Sequence, residues 1–310
     1  IGKMPGNYYQ PAQGLQDSAL KSALSEIIHC GVRYKYGSGF RKSWDAFYHT
    51  DRDCTTQQVF DMYSNKVRYF DATDTCASVA EMDIEHMLPK SWWGGFEANV
   101  SAACDLYHLS PSDYSANRSK SNHAPGIPSD SSFNNGSFVT GSGSPYGLQR
   151  VFCPDDEYKG DFARAYFYVV TCYEEIEWVT TGEPGKSMTN NSYLEFQPWL
   201  QNLLISWHRL DPVSEREKSR AAEVNKIQGN RNPFIDFPEL AEYIWGEKQG
   251  VTVNFYNLIQ SYGDPYSEED TDTALSQPTT STTASKRLDG DLVILQKDGK
   301  KYTILGNFQE

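Results

Sequence analysis

The amino-acid sequence predicts an α+β fold that is mainly helical, and three observations support this prediction. Apolar residues recur at helical spacing in several long segments of the chain. A central segment, residues 81–120, instead contains two short runs of strand type separated by a loop. Apolar β-type runs on either side of Asp298-Gly299 predict a β-hairpin close to the C-terminus.

The predicted helices are distributed over the first 245 residues. Leu20, Leu24 and Ile28 share one face of a helix expected over 16–29, and Asp17 stands where it could cap the start. The same spacing predicts further helices at 161–177 and 196–210. Residues 214–228 are expected to form a charged helix, and shorter helices are expected at 56–64 and 238–245. The stretch between them that is rich in Gly, Ser, Asn and Pro, 126–150, is expected to be a long surface loop or an insertion.

The central segment predicts the order strand, long loop, strand, helix. Residues 82–86 alternate apolar and polar side chains, as in a strand, and Pro89 prevents regular continuation. Residues 105–110 predict a second short strand, which Pro111 is expected to end. A helix over 112–120 follows, because proline is favoured just at the start of a helix.

Composition divides the chain into three parts. Residues 1–260 carry the predicted helices and the central segment and are expected to form one large domain. Residues 261–288 are rich in Ser, Thr, Pro and acidic side chains, which is typical of a linker, and 289–310 hold the hairpin. No apolar run approaches the roughly 18 residues that a membrane span requires.

Charge and cysteine content restrict the class of protein. The net charge of −13 counts against binding nucleic acid by bulk electrostatics, so such a function would need a local basic strip and a metal ion. The six cysteines stand singly, without the C-x-x-C pair of a zinc ribbon. They leave two alternatives open, namely at least two disulfides in an oxidising compartment or free cysteines in a reducing one. No signal peptide is visible at Ile1, which is compatible with a processed secreted protein and equally with any chain trimmed at its leader.

Three motifs carry polar residues that could perform chemistry: Asp83-Ile84-Glu85-His86-Met87-Leu88-Pro89, then Asp105-Leu106-Tyr107-His108-Leu109-Ser110-Pro111 running on to Asn117 and Asn122, and Gln228-Gly229-Asn230-Arg231-Asn232-Pro233-Phe234. A histidine beside a glutamate can place a general base next to a metal ligand. It can equally be a strand end with one buried and one solvated side chain, because adjacent residues of a regular strand face opposite ways. The H-E-x-x-H motif of zinc metalloproteases is absent.

In combination these motifs resemble the bacterial endonuclease I family. The pattern D-I-E-H-x-x-P-x-S-W is followed by D-L-Y-H-L-x-P, A-N-R-S-x-S-N, K-G-D-x-A-R and Q-G-N-R-N-P-F. The resemblance extends over residues 5–246. It implies a nuclease core of the ββα-metal, or His-Me finger, type and a secreted or periplasmic location.

The resemblance implies roles for individual residues. His86 would be the general base, and Glu85 and Asn117 would hold one divalent cation. Their hard oxygen ligands suit Mg²⁺, with Mn²⁺ or Ca²⁺ as alternatives. The implied substrate is DNA with little sequence specificity and 5′-phosphate products, and RNA stays open because water is the nucleophile. No obligate protein partner is expected.

This sequence departs from the family pattern at two places. Relatives read D-L-H-x-L in the second motif, whereas Tyr107 and His108 stand here, and we interpret both as structural or supporting residues. Some relatives carry a phosphate-binding arginine before the second strand, where this chain has none. The candidates for substrate contacts are therefore Lys90, Arg118, His123 and Arg231.

A second class of function is a binding protein, either a catalytically degenerate nuclease fold or an extracellular adhesin. Loss of the base or of a metal ligand would be its signature. Glu85, His86 and Asn117 are all present, which favours the enzyme.

Overall fold

The computed structural model describes residues 8–29, 31–95 and 101–262, together with the backbone of strands lying within 285–309. The chain divides into two compact units, Ile1–Pro265 and Tyr266–Glu310. The first is mainly helical with two small sheets, which confirms the predicted α+β class. Throughout the part of the chain that is described, every helix is too short or too polar to cross a membrane.

The described part of the first unit contains nine α-helices. They are α1 Asp17–Ile28, α2 Ser43–Thr50, α3 Tyr114–Lys120, α4 Lys159–Cys172, α5 Gly182–Gly185, α6 Pro198–Leu210, α7 Glu215–Gln228, α8 Pro233–Asp236 and α9 Leu240–Ile244. The sequence predicted α1, α4, α6, α7 and α9, although α4 ends five residues before the predicted end at 177.

The helix expected at 56–64 is wrong. These residues form turns and isolated bridges, among them Gln58 paired with Tyr69. Side-chain oxygens satisfy the backbone locally: Asp53 accepts from the amides of Thr55 and Thr56. Such side-chain contacts compete with helix formation. The preceding helix α2, by contrast, was not predicted.

The central segment has the predicted order of elements. Strand β1, Met82–His86, pairs antiparallel with β2, Leu109–Asp113, and α3 follows directly. The predicted bounds of the second strand are wrong, since β2 begins at Leu109 and includes Pro111 opposite Ile84. A proline fits there because each strand of a two-stranded sheet is an edge strand, and on its outer side a residue without an N–H costs no hydrogen bond.

A four-stranded sheet occupies the region expected to be a long surface loop, and that prediction is wrong. Its strands are β3 Ala124–Pro125, β4 Phe133–Asn134, β5 Phe138–Ser142 and β6 Arg150–Pro154, in the order β3-β6-β5-β4. Phe138, Val151 and Phe152 are buried on this sheet. These strands are short and lie between glycines and serines, so the alternation of apolar and polar residues was too brief to be recognised in the sequence.

Helix α4 is the centre of the first unit, and all of its residues from Gly160 to Cys172 are buried. It packs against α1 and α6 and also supports the central segment. The hydroxyl of Tyr166 donates to the backbone oxygen of Met87 at 3.1 Å, and that of Tyr168 donates to Asp105 at 2.8 Å. Both ends of the loop between β1 and β2 are therefore fixed to the core.

The second unit contains a sheet of four described strands, β7 Ser285–Asp289, β8 Leu292–Lys297, β9 Lys300–Tyr302 and β10 Phe308–Gln309, in the order β10-β9-β8-β7. Strands β8 and β9 form the expected antiparallel pair, with Lys297 opposite Lys300. Strand β7 begins inside the segment expected to be a linker. Residues 263–284 and the turn residues Asp298 and Gly299 lie outside the described residues.

The alternative with at least two disulfides is contradicted. Cys54, Cys76, Cys104, Cys153 and Cys172 are all free, and Cys30 lies outside the described residues. Their thiols lie in separate surroundings. Cys76 contacts Asp45, for example, and Cys172 contacts the backbone oxygen of Ile28.

Candidate active site

His86 lies at the end of β1 and is buried among aromatic rings. Its Nε2 is 2.9 Å from the carbonyl oxygen of Ala103. Because a carbonyl can only accept, Nε2 carries the proton of the neutral ring and Nδ1 is left as the basic nitrogen. Tyr36 stacks on the imidazole at 5.6 Å between ring centroids, and the ring of Trp93 packs edge-on at 6.4 Å. The orientation and the tautomer of His86 are thus both defined.

The surroundings keep His86 unprotonated. Burial lowers the pKa of His86 well below its ordinary value, and the nearby His108, Lys90 and Lys120 act in the same direction. A general base must accept a proton at the working pH. His86 is therefore in the basic form at neutral pH.

His108 packs against His86 and helps to fix the position of its ring. It is fully buried, its ring centroid is 5.5 Å from that of His86, and its Nε2 is 2.5 Å from the oxygen of Ala102. The two histidines thus bind consecutive carbonyls of one short 3₁₀ helix, Ser101–Cys104. Tyr107 donates to the backbone oxygen of Asn230 at 3.0 Å. Tyr107 and His108 are thus both buried and hydrogen-bonded to backbone oxygens, which agrees with the interpretation of both as structural or supporting residues.

Glu85 is buried like its neighbour His86, so the alternative of one buried and one solvated side chain does not apply. Its Oε1 accepts a hydrogen bond from Nζ of Lys120 on α3 at 2.6 Å. The same ammonium donates to the backbone oxygen of His86 at 3.0 Å. Burial raises the pKa of the Glu85 carboxyl, and the positive charge of Lys120 opposes that rise.

Asn117 lies on α3 one turn before Lys120, so the two side chains leave neighbouring positions of the helix surface. Its side chain is half-buried. Helix α3 packs on β1, which brings the elements carrying Asn117 and Glu85 together. A carboxylate and an amide oxygen are donors that fit a hard divalent cation, with water and substrate oxygens completing its shell.

Within the described ranges no group of three or more His, Cys, Asp or Glu side chains could hold a metal ion. A transition-metal centre with several such ligands is therefore not found there. A metal site formed by one carboxylate and one amide has fewer than three such side chains, so the absence of a larger group does not argue against it.

Lys90 and His123 are two of the candidates for substrate contacts near β1 and α3. Nζ of Lys90 lies 5.5 Å from the ring centroid of Tyr36, which itself stacks on His86. His123 follows α3 and is half-buried. Burial lowers the pKa of His123, and the charge of Arg150 adds to this effect.

The two arginine candidates differ sharply in exposure. Arg118 is exposed on α3, with its guanidinium 3.9 Å above the ring of Tyr114. Arg231 is buried and forms two hydrogen bonds of 2.6 Å to Asp236. The structure therefore leaves Arg118 accessible to a substrate, whereas it does not bring Arg231 to the site.

Sequence analysis missed Lys120, the buried partner of Glu85. A charged residue in the short, polar segment A-N-R-S-K looks like an ordinary solvated side chain, and the motifs did not single it out. One signal was available, because Lys120 follows the buried Ala116 by four residues and so shares its face of the helix.

A buried, neutral histidine next to a carboxylate on a strand–loop–strand–helix unit is an arrangement suited to a hydrolase that activates water. The profile of the endonuclease I family matches residues 17–239. The extracellular ribonuclease of Bacillus amyloliquefaciens is 32% identical over 244 residues, which cover 77% of this chain and 78% of that protein. The extracellular ribonuclease of Bacillus subtilis (strain 168) is 31% identical with the same coverage. The chain belongs to the endonuclease I family and is a nuclease, a hydrolase of phosphodiester bonds.

Proposed function

We propose that this protein is a secreted, metal-dependent endonuclease that cleaves RNA and DNA with little sequence specificity, with His86 as the general base. The hydrogen bond from Nε2 of His86 to Ala103 carries this proposal, because it leaves Nδ1 free of a proton. The relatives named extracellular ribonucleases support RNA as a substrate and secretion as the destination. DNA is included because water attacks the phosphate, so a 2′-hydroxyl is not needed.

In this proposal Nδ1 of His86 removes a proton from the attacking water. The Ala103 carbonyl holds the other ring nitrogen as a donor, and Tyr36 and Trp93 restrict rotation of the ring. Displacement of the 3′ oxygen leaves a 5′-phosphate and a 3′-hydroxyl. Lys90, Arg118 and His123 are proposed to contact backbone phosphates, which carry no sequence information.

Glu85 and Asn117 would hold the divalent cation, with Mg²⁺ proposed and Mn²⁺ or Ca²⁺ as alternatives. When bound, such an ion would supply positive charge where negative charge develops on the phosphate and on the departing oxygen. The overall net charge of −13 makes such local compensation more important, since the protein as a whole repels the substrate.

Digestion of plasmid DNA and of single-stranded RNA, each with Mg²⁺ and with EDTA, tests the proposal. We expect both substrates to be cleaved internally with Mg²⁺ and neither with EDTA, and end-group analysis should find 5′-phosphates. Cleavage that persists in EDTA would contradict the metal requirement. Cleavage of RNA alone would restrict the substrate to RNA and contradict the inclusion of DNA.

A further inference from the structure

Lys120 is a lysine whose side chain is wholly inaccessible to solvent, inside the proposed catalytic centre. Its Nζ lies 2.6 Å from Oε1 of Glu85, 3.0 Å from the backbone oxygen of His86 and 5.1 Å from the ring centroid of Phe152. Within the described part of the chain, its carboxylate partner is Glu85. A buried ammonium requires such a partner, because an unpaired charge in the interior is strongly unfavourable.

The same reasoning applies to the carboxylate. Only 10% of the Glu85 side chain is accessible, so its negative charge also needs a compensating cation close by. A metal ion could fill that need only while it is bound. Lys120 provides a positive charge at all times, and its second hydrogen bond attaches it to the backbone of the base residue.

We propose that Lys120 is a resident counter-ion that holds Glu85 in its metal-binding position before the divalent cation arrives. Lys120 is thus a positioning residue that acts through Glu85 and through the backbone of His86. This inference rests on the proposed function, in which Glu85 binds the metal. It predicts that the metal-free protein is stable and preorganised, and that removing Lys120 makes folding depend on the metal.

Thermal unfolding of the full chain in EDTA and in Mg²⁺ tests this inference, with Lys120→Met as the first variant. In EDTA we expect its unfolding midpoint to fall by roughly 10 °C, because Glu85 is left buried and unpaired. Mg²⁺ should restore much of that loss, since it binds the folded state alone. The wild type should gain far less from Mg²⁺.

Charge-balanced variants separate this role from simple packing. Lys120→Met combined with Glu85→Gln removes both charges, so it should recover most of the midpoint in EDTA and respond little to Mg²⁺. Lys120→Arg keeps the charge and should resemble the wild type. Lys226→Met removes an exposed lysine that is paired with Glu223 on α7, and it should change nothing.

Two outcomes would overturn the inference. If Lys120→Met loses the same stability with and without Mg²⁺, and Glu85→Gln does not rescue it, Lys120 only fills space. If Glu85→Gln rescues it but Mg²⁺ stabilises no variant, Glu85 is not a metal ligand, and that part of the proposed function fails as well. Should Lys120→Met not fold, Glu85→Gln alone leaves Lys120 unpaired and must be less stable than the double variant.

Discussion

At the scale of single residues, the chemistry of the site depends on partners that are distant in sequence. Glu85 and His86 are adjacent, yet the carbonyl that orients His86 is 17 residues away and the lysine that pairs with Glu85 is 35 residues away. The motifs indicated which side chains are candidates for the chemistry. They could not predict Ala103 or Lys120, because a backbone carbonyl has no sequence signature and a buried lysine resembles an exposed one.

Buried titratable residues outside the site are expected to make stability depend on pH, and His208 is one of them. It lies on α6 with Nε2 2.8 Å from the oxygen of Pro238. Burial, with the charge of Arg164, lowers the pKa of His208 to about 3. Between pH 3 and 6.5 the unfolded chain therefore binds a proton that the folded chain does not, so this residue lowers stability as pH falls through that window.

His208→Gln should remove this acid sensitivity while keeping a donor to Pro238. Between pH 7 and pH 5 the free energy of unfolding should fall by about 2 kcal/mol more in the wild type than in the variant. Urea unfolding at the two pH values measures this difference. Burial also raises the pKa of Asp211 and of Glu195 to about 7, so these two carboxyl groups make the protein more stable as the pH falls. They are present in the wild type and in the His208→Gln variant alike, so they do not affect the difference between the two. Parallel pH dependences would contradict the assignment.

At the scale of elements, close packing at the start of α4 determines how the central helix is seated. The amide of Gly160 donates to the carboxylate of Asp211 at 2.9 Å. A Cβ atom on Gly160 would lie 2.0 Å from the backbone oxygen of Asp211 and 2.6 Å from the guanidinium of Arg164. The glycine is needed there for close approach rather than for an unusual backbone conformation.

Gly160→Ala should therefore destabilise the protein, although alanine is the better helix former. We expect a loss of about 1–3 kcal/mol, since backbone atoms must move to admit the methyl group. Ser219→Ala, at an exposed position of α7, is the control and should be neutral or slightly stabilising. Urea unfolding of both variants measures the effect, and a stabilised Gly160→Ala protein would be inconsistent with this packing.

Long amphipathic helices were predictable and short elements were not. Helices α1 and α6 show helical spacing of apolar residues over at least 12 residues, which makes their pattern distinct. Helix α2 has only eight residues, and the first five, Ser43 to Phe47, are all buried. Its buried positions therefore do not recur at the spacing of an amphipathic helix. The sheet of β3 to β6 has strands of two to five residues, too short for alternation to be recognised.

At the scale of the whole molecule, the proposed site residues all lie in the first unit, Ile1–Pro265. Deletion of residues 266–310 should therefore leave the rate of RNA cleavage within about twofold, because a domain with its own core keeps its function. Initial rates of the full-length and shortened proteins, at matched protein and Mg²⁺ concentrations, measure this. A loss of tenfold or more in a shortened protein that remains folded would show that the second unit contributes to catalysis.

The proposed role of His86 as the general base is tested by the cleavage rate of the His86→Ala variant in Mg²⁺. We predict a fall of about 10²–10⁴-fold relative to the wild type, with partial recovery when imidazole is added to the reaction. His49→Ala, which removes an exposed histidine of α2, should retain the wild-type rate. A folded His86→Ala protein that cleaves RNA within a fewfold of the wild-type rate would contradict the claim.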